Sequence, residues 1–180
     1  MGQSYSELTP ALVEWIERQH VFFVATAPLA GDGLVNCSPK GLDTFRVLDP
    51  RTVGYLDLTG SGVETIAHLR ENGRIVVVFC SFDDPPKILR LHGRGRPLLP
   101  DEAEFAALRG RFPDQPGVRA IVRVEVERIA DSCGYGVPRY EPRGERETLA
   151  KASRQKGEDG LARYRAEHNR RSLDGLPGLD

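Results

Sequence analysis

Up to Pro138, apolar positions mostly fall in short runs or alternate with a period of two, which predicts strands. Phe22 to Ala27 reads as a buried strand, and Leu34 to Ser38 as its return after the Asp32-Gly33 turn. Thr44 to Leu48 and Val53 to Leu58 flank the Asp49-Pro50-Arg51-Thr52 turn. Ile75 to Phe79 is continuously apolar, and Asp83-Asp84-Pro85-Pro86 turns the chain into a strand over Lys87 to Arg96. Leu89 and Leu91 then share one side, with Arg90, His92 and Arg94 on the other. In Val118 to Ile129, Ala120, Val122, Val124 and Val126 read as inward, and Arg119, Arg123, Glu125 and Glu127 as outward.

Three short helices interrupt this pattern. Thr9-Pro10 supplies a hydroxyl cap and a proline for the first turn, ahead of Leu12, Trp15 and Ile16 at helical spacing. Ser61 and Glu64 have the spacing of a capping box before a helix over Val63 to Asn72, which Gly73 ends. Pro100 to Arg109 reads as the third. Strands and helices do not alternate regularly, and no Gly-x-Gly-x-x-Gly follows a strand. A doubly wound nucleotide fold is therefore disfavoured, and a small antiparallel barrel with flanking helices is expected.

After Cys133-Gly134-Tyr135-Gly136-Val137-Pro138 large apolar residues become sparse. Residues 1–138 are read as one domain. Residues 139–180 are read as a charged helical tail, over Glu145 to Lys156 and Glu158 to Arg170, packed on the barrel or on a partner.

Composition narrows the function. The 180 residues carry 25 basic and 26 acidic side chains, a net charge of -1, which argues against a nucleic-acid binder working through a general basic field. No run approaches the ~20 apolar residues of a membrane span. No secretory leader is evident at the N-terminus, so a cytoplasmic protein is expected. Cys37, Cys80 and Cys133 form no metal-type pair and no disulfide framework, and no metal is expected. Cys37 is read as a small buried residue, His20 and His168 as surface residues, and His68 as a helix residue without a role.

The candidate chemistry lies in Asn36-Cys37-Ser38-Pro39-Lys40-Gly41 and Thr59-Gly60-Ser61-Gly62. Two strands deliver small hydroxyl, amide and ammonium groups to neighbouring places, as a phosphorylated cofactor requires. No nucleophile stands beside a base, so the hard chemistry is assigned to such a cofactor.

These motifs come in a fixed order with Phe22-Phe23-Val24-Ala25-Thr26, Glu64-Thr65-Ile66-Ala67-His68-Leu69, Ile75-Val76-Val77-Val78-Phe79 and the closing Cys-Gly-Tyr-Gly-Val-Pro. The series resembles the pyridoxamine 5′-phosphate oxidase-like, FMN-binding split-barrel family, in its branch carrying Ser-Pro-Lys-Gly. The resemblance implies a mainly β fold, a six-stranded antiparallel split barrel. It implies a homodimer with one FMN in each of two clefts between subunits, acting on a small-molecule substrate. It implicates Asn36, Cys37, Ser38, Lys40, Thr59, Ser61, Gly62 and Thr65 in cofactor binding, and brings Arg90, His92 or Arg94 near the site.

The oxidase proper carries an Arg-Lys pair at the start of the second helix to hold the phosphate. Here those positions are Glu64 and Thr65. A glutamate beside a phosphate dianion is unfavourable, so the phosphate must lean on Lys40, hydroxyls, the helix N-terminus or another arginine. Vitamin B6 oxidation is not assigned. The expectation is an FMN-dependent oxidoreductase. Its rivals are a non-catalytic module holding a flavin or the deazaflavin F420, and a dimeric structural protein that has lost its cofactor.

Overall fold

The apolar residues of Ile75 to Cys80 and Ile88 to Leu98 are buried or half-buried on alternate sides, and they build the centre of the sheet. In the computed structural model, which describes residues 2–179, eight strands form one sheet. They are β1 (Ser4–Tyr5), β2 (Phe22–Thr26), β3 (Asn36–Lys40), β4 (Phe45–Asp49), β5 (Thr52–Leu58), β6 (Arg74–Cys80), β7 (Ile88–Leu98) and β8 (Val118–Ser132). The helices are α1 (Pro10–Glu17), α2 (Glu64–Asn72), α3 (Ala103–Arg109) and α4 (Thr148–His168), the last broken at Gly157. The strand order is β3-β2-β6-β7-β8-β5-β4, with β1 added on β8. Pairing is antiparallel throughout.

This corrects the expected strand number: eight strands, not six. β1 was too short to show a period, and β3 and β4 end the order without pairing to each other. The barrel is therefore not closed.

Each element follows from its residues. The Thr9 hydroxyl accepts the Leu12 N–H at 3.4 Å, and α1 buries Leu12, Trp15 and Ile16. Gly73, at φ 70°, ends α2 in the left-handed conformation that an L side chain adopts only at a cost. At the start of α2 the capping box does not form: Val63 is the cap, without a side-chain hydrogen bond. The Glu64 carboxylate instead accepts the Leu173 N–H at 3.3 Å, because the tail lies across the helix start.

The inner face of the sheet carries Phe22, Val24, Val53, Tyr55, Val77, Phe79, Leu89 and Leu91, joined by the apolar side of α1. Phe22 meets Phe45 and Tyr55 edge-on, with ring centroids 5.2 and 5.5 Å apart. Two smaller clusters form around Leu56 and Leu98, and around Val63, Ile66, Ala120 and Leu179.

One ion pair is sealed inside. Asp57 of β5 is 0% exposed and accepts from Arg119 Nε of β8 at 2.7 Å. Arg119, expected to face outward, is 5% exposed. Alternation assigns a face, but not whether another segment covers it, and residues of the tail cover this one. Asn169, itself 0% exposed, accepts from Arg119 Nη1 at 2.8 Å.

At the other end, Gln3 N–H and the Tyr5 hydroxyl donate to Asp131 at 2.7 and 2.6 Å and pin β1 to β8. The hydrogen bond to Asp131, then burial, pushes the Tyr5 pKa up to about 12. A raised pKa gives stability that is present below the ordinary phenol range and is lost as pH rises through about 12. In an ultraviolet titration Tyr5 should therefore ionise only near about 12, and Asp131→Asn should bring it back towards its ordinary value of 10.0. An unmoved titration curve would show that Asp131 does not hold the phenol.

Removing Arg119 leaves a buried carboxylate with only a distant ammonium. Arg119→Ala should cost about 3–5 kcal/mol in urea unfolding. Arg18→Ala, which breaks only an exposed pair with Glu14, should cost about 0–1 kcal/mol. Similar losses for the two would show that the buried pair is not what ties β5 to β8.

Candidate flavin site at the open edge of the barrel

β3 is an edge strand, and its side chains divide between two faces. Asn36, Ser38 and Lys40 stand opposite Thr26, Val24 and Phe22, on the inner face. Cys37 and Pro39 are exposed on the outer face. Cys37 is therefore not a buried residue, and it does not share a surface with its neighbours in the motif, because the period of two separates adjacent residues.

Side chains bridge the gap that hydrogen-bonded strands leave open. Asn36 Nδ2 donates to the hydroxyls of Thr26 and Thr65, each at 3.0 Å. Lys40 Nζ reaches Asp57 at 3.5 Å, with its side chain 22% exposed. Asp57 thus meets two cations, Arg119 and Lys40, and the cluster carries one positive charge in excess. The Lys40 contact is long, which leaves ammonium protons for another acceptor.

Thr59 is engaged already: its N–H and its hydroxyl both donate to the Gly117 carbonyl at 2.8 Å. Beyond it the carbonyls of the turn are turned inward. Arg119 donates to Gly60 O at 3.3 Å and Gly62 O at 2.8 Å, and Asn169 Nδ2 to Gly60 O at 2.9 Å and Ser61 O at 3.3 Å. In a trans peptide the N–H points away from the preceding C=O. The amides of Ser61, Gly62 and Val63 therefore point the opposite way, and none has an acceptor among the described residues. Successive free amides at a helix start form an anion-binding concavity.

Among the described residues two buried side-chain atoms have no hydrogen-bond partner, Tyr55 Oη and His68 Nε2. Burial, then the Asp57 carboxylate, pushes the Tyr55 pKa well above the phenol range, so its hydroxyl is a proton donor. It lies in the field of Asp57 and Arg119 and near Thr65. His68 was assigned no role, yet it is 0% exposed, with Nδ1 3.0 Å from the Thr26 hydroxyl and Nε2 3.9 Å from Asp174.

Asn36, Ser38, Lys40 and Thr65 thus gather at one edge, with Thr59, Ser61 and Gly62 forming the turn beside them. Arg90, His92 and Arg94 do not join them within one chain. They stand on the outer face of β7, opposite Val78, Val76 and Arg74. Arg90 donates to Ser132 at 2.9 Å, and Arg94 to the Asn72 carbonyl at 2.9 Å. Burial, then Arg128 and Arg90, holds the His92 pKa below its ordinary value. Asp57, Arg119 and Asn169 were missed as site residues. An acid inside the apolar run Tyr55-Leu56-Asp57-Leu58 was the available clue.

A roomy cleft, about 1170 Å³, lies elsewhere, between the end of α1, the β6–β7 turn and residues 139–142, with Trp15, Phe82 and Tyr140 on its walls. It contains none of the converging polar groups, so the donor set and not the volume marks the site. Among the described residues no group of His, Cys, Asp and Glu is placed to hold a metal, and no helix is long and apolar enough to cross a membrane.

Residues 8–133 match the family described as pyridoxamine 5′-phosphate oxidase. The chain is 40% identical to the pyridoxamine 5′-phosphate oxidase family protein ustO of Aspergillus flavus, over 97% of this chain and 77% of that protein. Among solved structures, HupZ of Group A Streptococcus aligns with a TM-score of 0.55 at 25% identity, covering 69% of this chain and 99% of that one. A FAD-binding protein of Mesorhizobium loti aligns with a TM-score of 0.52 at 18% identity, covering 73% and 96%. With an eight-stranded open barrel of this order and a family match over most of its length, the chain belongs to the pyridoxamine 5′-phosphate oxidase family.

Proposed function

We propose that this chain is a flavin-dependent oxidoreductase whose cofactor is FMN, bound at the open edge of the barrel. The observation that carries the reading is the donor set: three outward amides at the start of α2 beside a cluster with one excess positive charge. That set fits a phosphate dianion. The Tyr55 hydroxyl, which has no hydrogen-bond partner, adds a donor for a neutral acceptor group. Flavin binding by a protein of the same fold from Mesorhizobium loti supports the cofactor class.

In this reading Lys40 and the Ser61, Gly62 and Val63 amides hold the phosphate. Asn36, Ser38 and Thr65 line the neighbouring wall. The bound flavin supplies hydride transfer, and the chain supplies binding, orientation and exclusion of water. Glu64 and Thr65, in place of an Arg-Lys pair, argue against pyridoxamine 5′-phosphate as the substrate.

The working unit is a homodimer. On the outer face, Cys37, Ala25, Val76 and His92 form one row across four strands, and Val35, 76% exposed, stands beside it. An antiparallel sheet normally turns polar residues to water on its free face. Here β3, β2 and β6 turn apolar ones, which fits a second copy on this face. Arg90, His92 and Arg94 border it and would face the partner.

Titration should show FMN binding in preference to FAD, whose phosphate is extended by AMP. Lys40→Ala should weaken FMN by about 1.5–3 kcal/mol, as for a charged hydrogen bond. Riboflavin should lose much less. Equal losses would show that Lys40 does not read the phosphate, and binding of F420 alone would replace FMN as the cofactor.

Light scattering should report a dimer at micromolar concentration. Val35→Glu with Val76→Glu should give a folded monomer with weakened flavin binding. A wild-type monomer that retains flavin would contradict a site shared by two chains.

A further inference from the structure

The turn that carries the free amides is not shaped by the barrel alone. Its three inward carbonyls are held by two side chains, Arg119 of β8 and Asn169 of the tail. Asn169 lies beyond residues 8–133, the span of the family match. It is completely buried, and it links the guanidinium to the turn: its oxygen accepts from Arg119 while its nitrogen donates to Gly60 and Ser61.

The rest of the tail fixes Asn169 in place. The Leu179 N–H donates to the Asn169 carbonyl at 2.7 Å, and Leu179 packs with Val63 and Ile66. Gly178 sits so close that a Cβ there would meet the Asn169 carbonyl and lie 2.8 Å from both Val63 methyls. Leu173 N–H holds the Glu64 carboxylate at the mouth of the turn. On the far side, Ser153 and Leu161 of α4 lie against Gly117, whose carbonyl fixes Thr59.

From this arrangement we infer that Asn169 is a positioning residue for the phosphate of the cofactor: the tail keeps the carbonyls of Gly60 and Ser61 inward, and so keeps the amides that follow them, of Ser61 and Gly62, presented to the anion. This rests on the flavin reading above. It adds that docking of the tail and binding of the phosphate are coupled, each favouring the other by the same factor. The fully buried, unpartnered Tyr55 hydroxyl in the same cluster is independent evidence that the site lacks a polar partner.

The test uses the full chain and two substitutions that act differently. Asn169→Ala removes the amide that holds the turn. Gly178→Ala leaves that amide intact and pushes the tail off Val63. Leu149→Ala, at an exposed side chain of α4 with no contact to the turn, serves as control. FMN, riboflavin and inorganic phosphate are titrated into each. In both test variants FMN affinity should fall roughly 5- to 150-fold, the usual span of such coupling, and riboflavin affinity should hold. By reciprocity FMN should slow tryptic cleavage at Arg170 and Arg171 in the wild type, and riboflavin should not.

A purely structural role would lower affinity for both ligands equally, and that result, or no change in either variant, overturns the inference. If the wild type binds phosphate but no flavin, the cofactor reading fails on its own. The inference then stands if Asn169→Ala loses phosphate and falls if it does not. A wild type that binds neither ligand overturns both.

Discussion

Asp57 is the constraint from which the rest of the site follows. A carboxylate sealed from water costs several kcal/mol in desolvation unless it is paired and its other lone pairs are met. Arg119 meets it from the adjacent strand and Lys40 from across the open edge. Arg119 must in turn place its remaining N–H groups, and it does so on the carbonyls of Gly60 and Gly62 and on Asn169. One buried charge thereby fixes two strands, one turn and the tail. Replacing such a pair with apolar residues is often neutral or stabilising in other proteins. Its presence here is better explained by what it orients than by what it contributes to stability.

On the proposed reading, the same arrangement lets a phosphate site persist with the family's usual cations missing. Glu64 and Thr65 stand where an Arg-Lys pair is expected, yet the cluster is still positive. The charge has moved from the helix to β3 and β8, and the tail engages the glutamate. The charge balance of a site belongs to the space around it, whichever element supplies the groups.

Much of the fold was legible in the residues. Apolar runs marked β2, β5 and β6, Thr9-Pro10 marked α1, and Gly73 marked the end of α2. The failures share one cause. Alternation reports two faces of a strand but not what covers them, so Arg119 was placed outside and Cys37 inside. Ser61 and Glu64 have the spacing of a capping box, but a distant residue competed for the acid: the Glu64 carboxylate accepts from the Leu173 N–H. Asn36, Ser38, Lys40 and Thr65 could be found because their motifs are local. Asp57 left one local sign, an acid inside an apolar run, but its meeting with Arg119 and Asn169 could not be read, since the three lie 62 and 50 residues apart along the chain.

That separation sets an order of events in folding. Contacts between distant parts of a chain pay their loop-closure entropy before they return any stability, and topologies rich in them fold slowly. The Asn169 side chain finds its full set of partners only once β5 and β8 have paired, because only then do Arg119 and the carbonyls of Gly60 and Ser61 lie side by side. The hairpins of the barrel can form while the turn is still unshaped. A chain caught at that stage would show native-like sheet structure and a buried core with no ordered phosphate site, so the appearance of secondary structure and the gain of function need not share a rate.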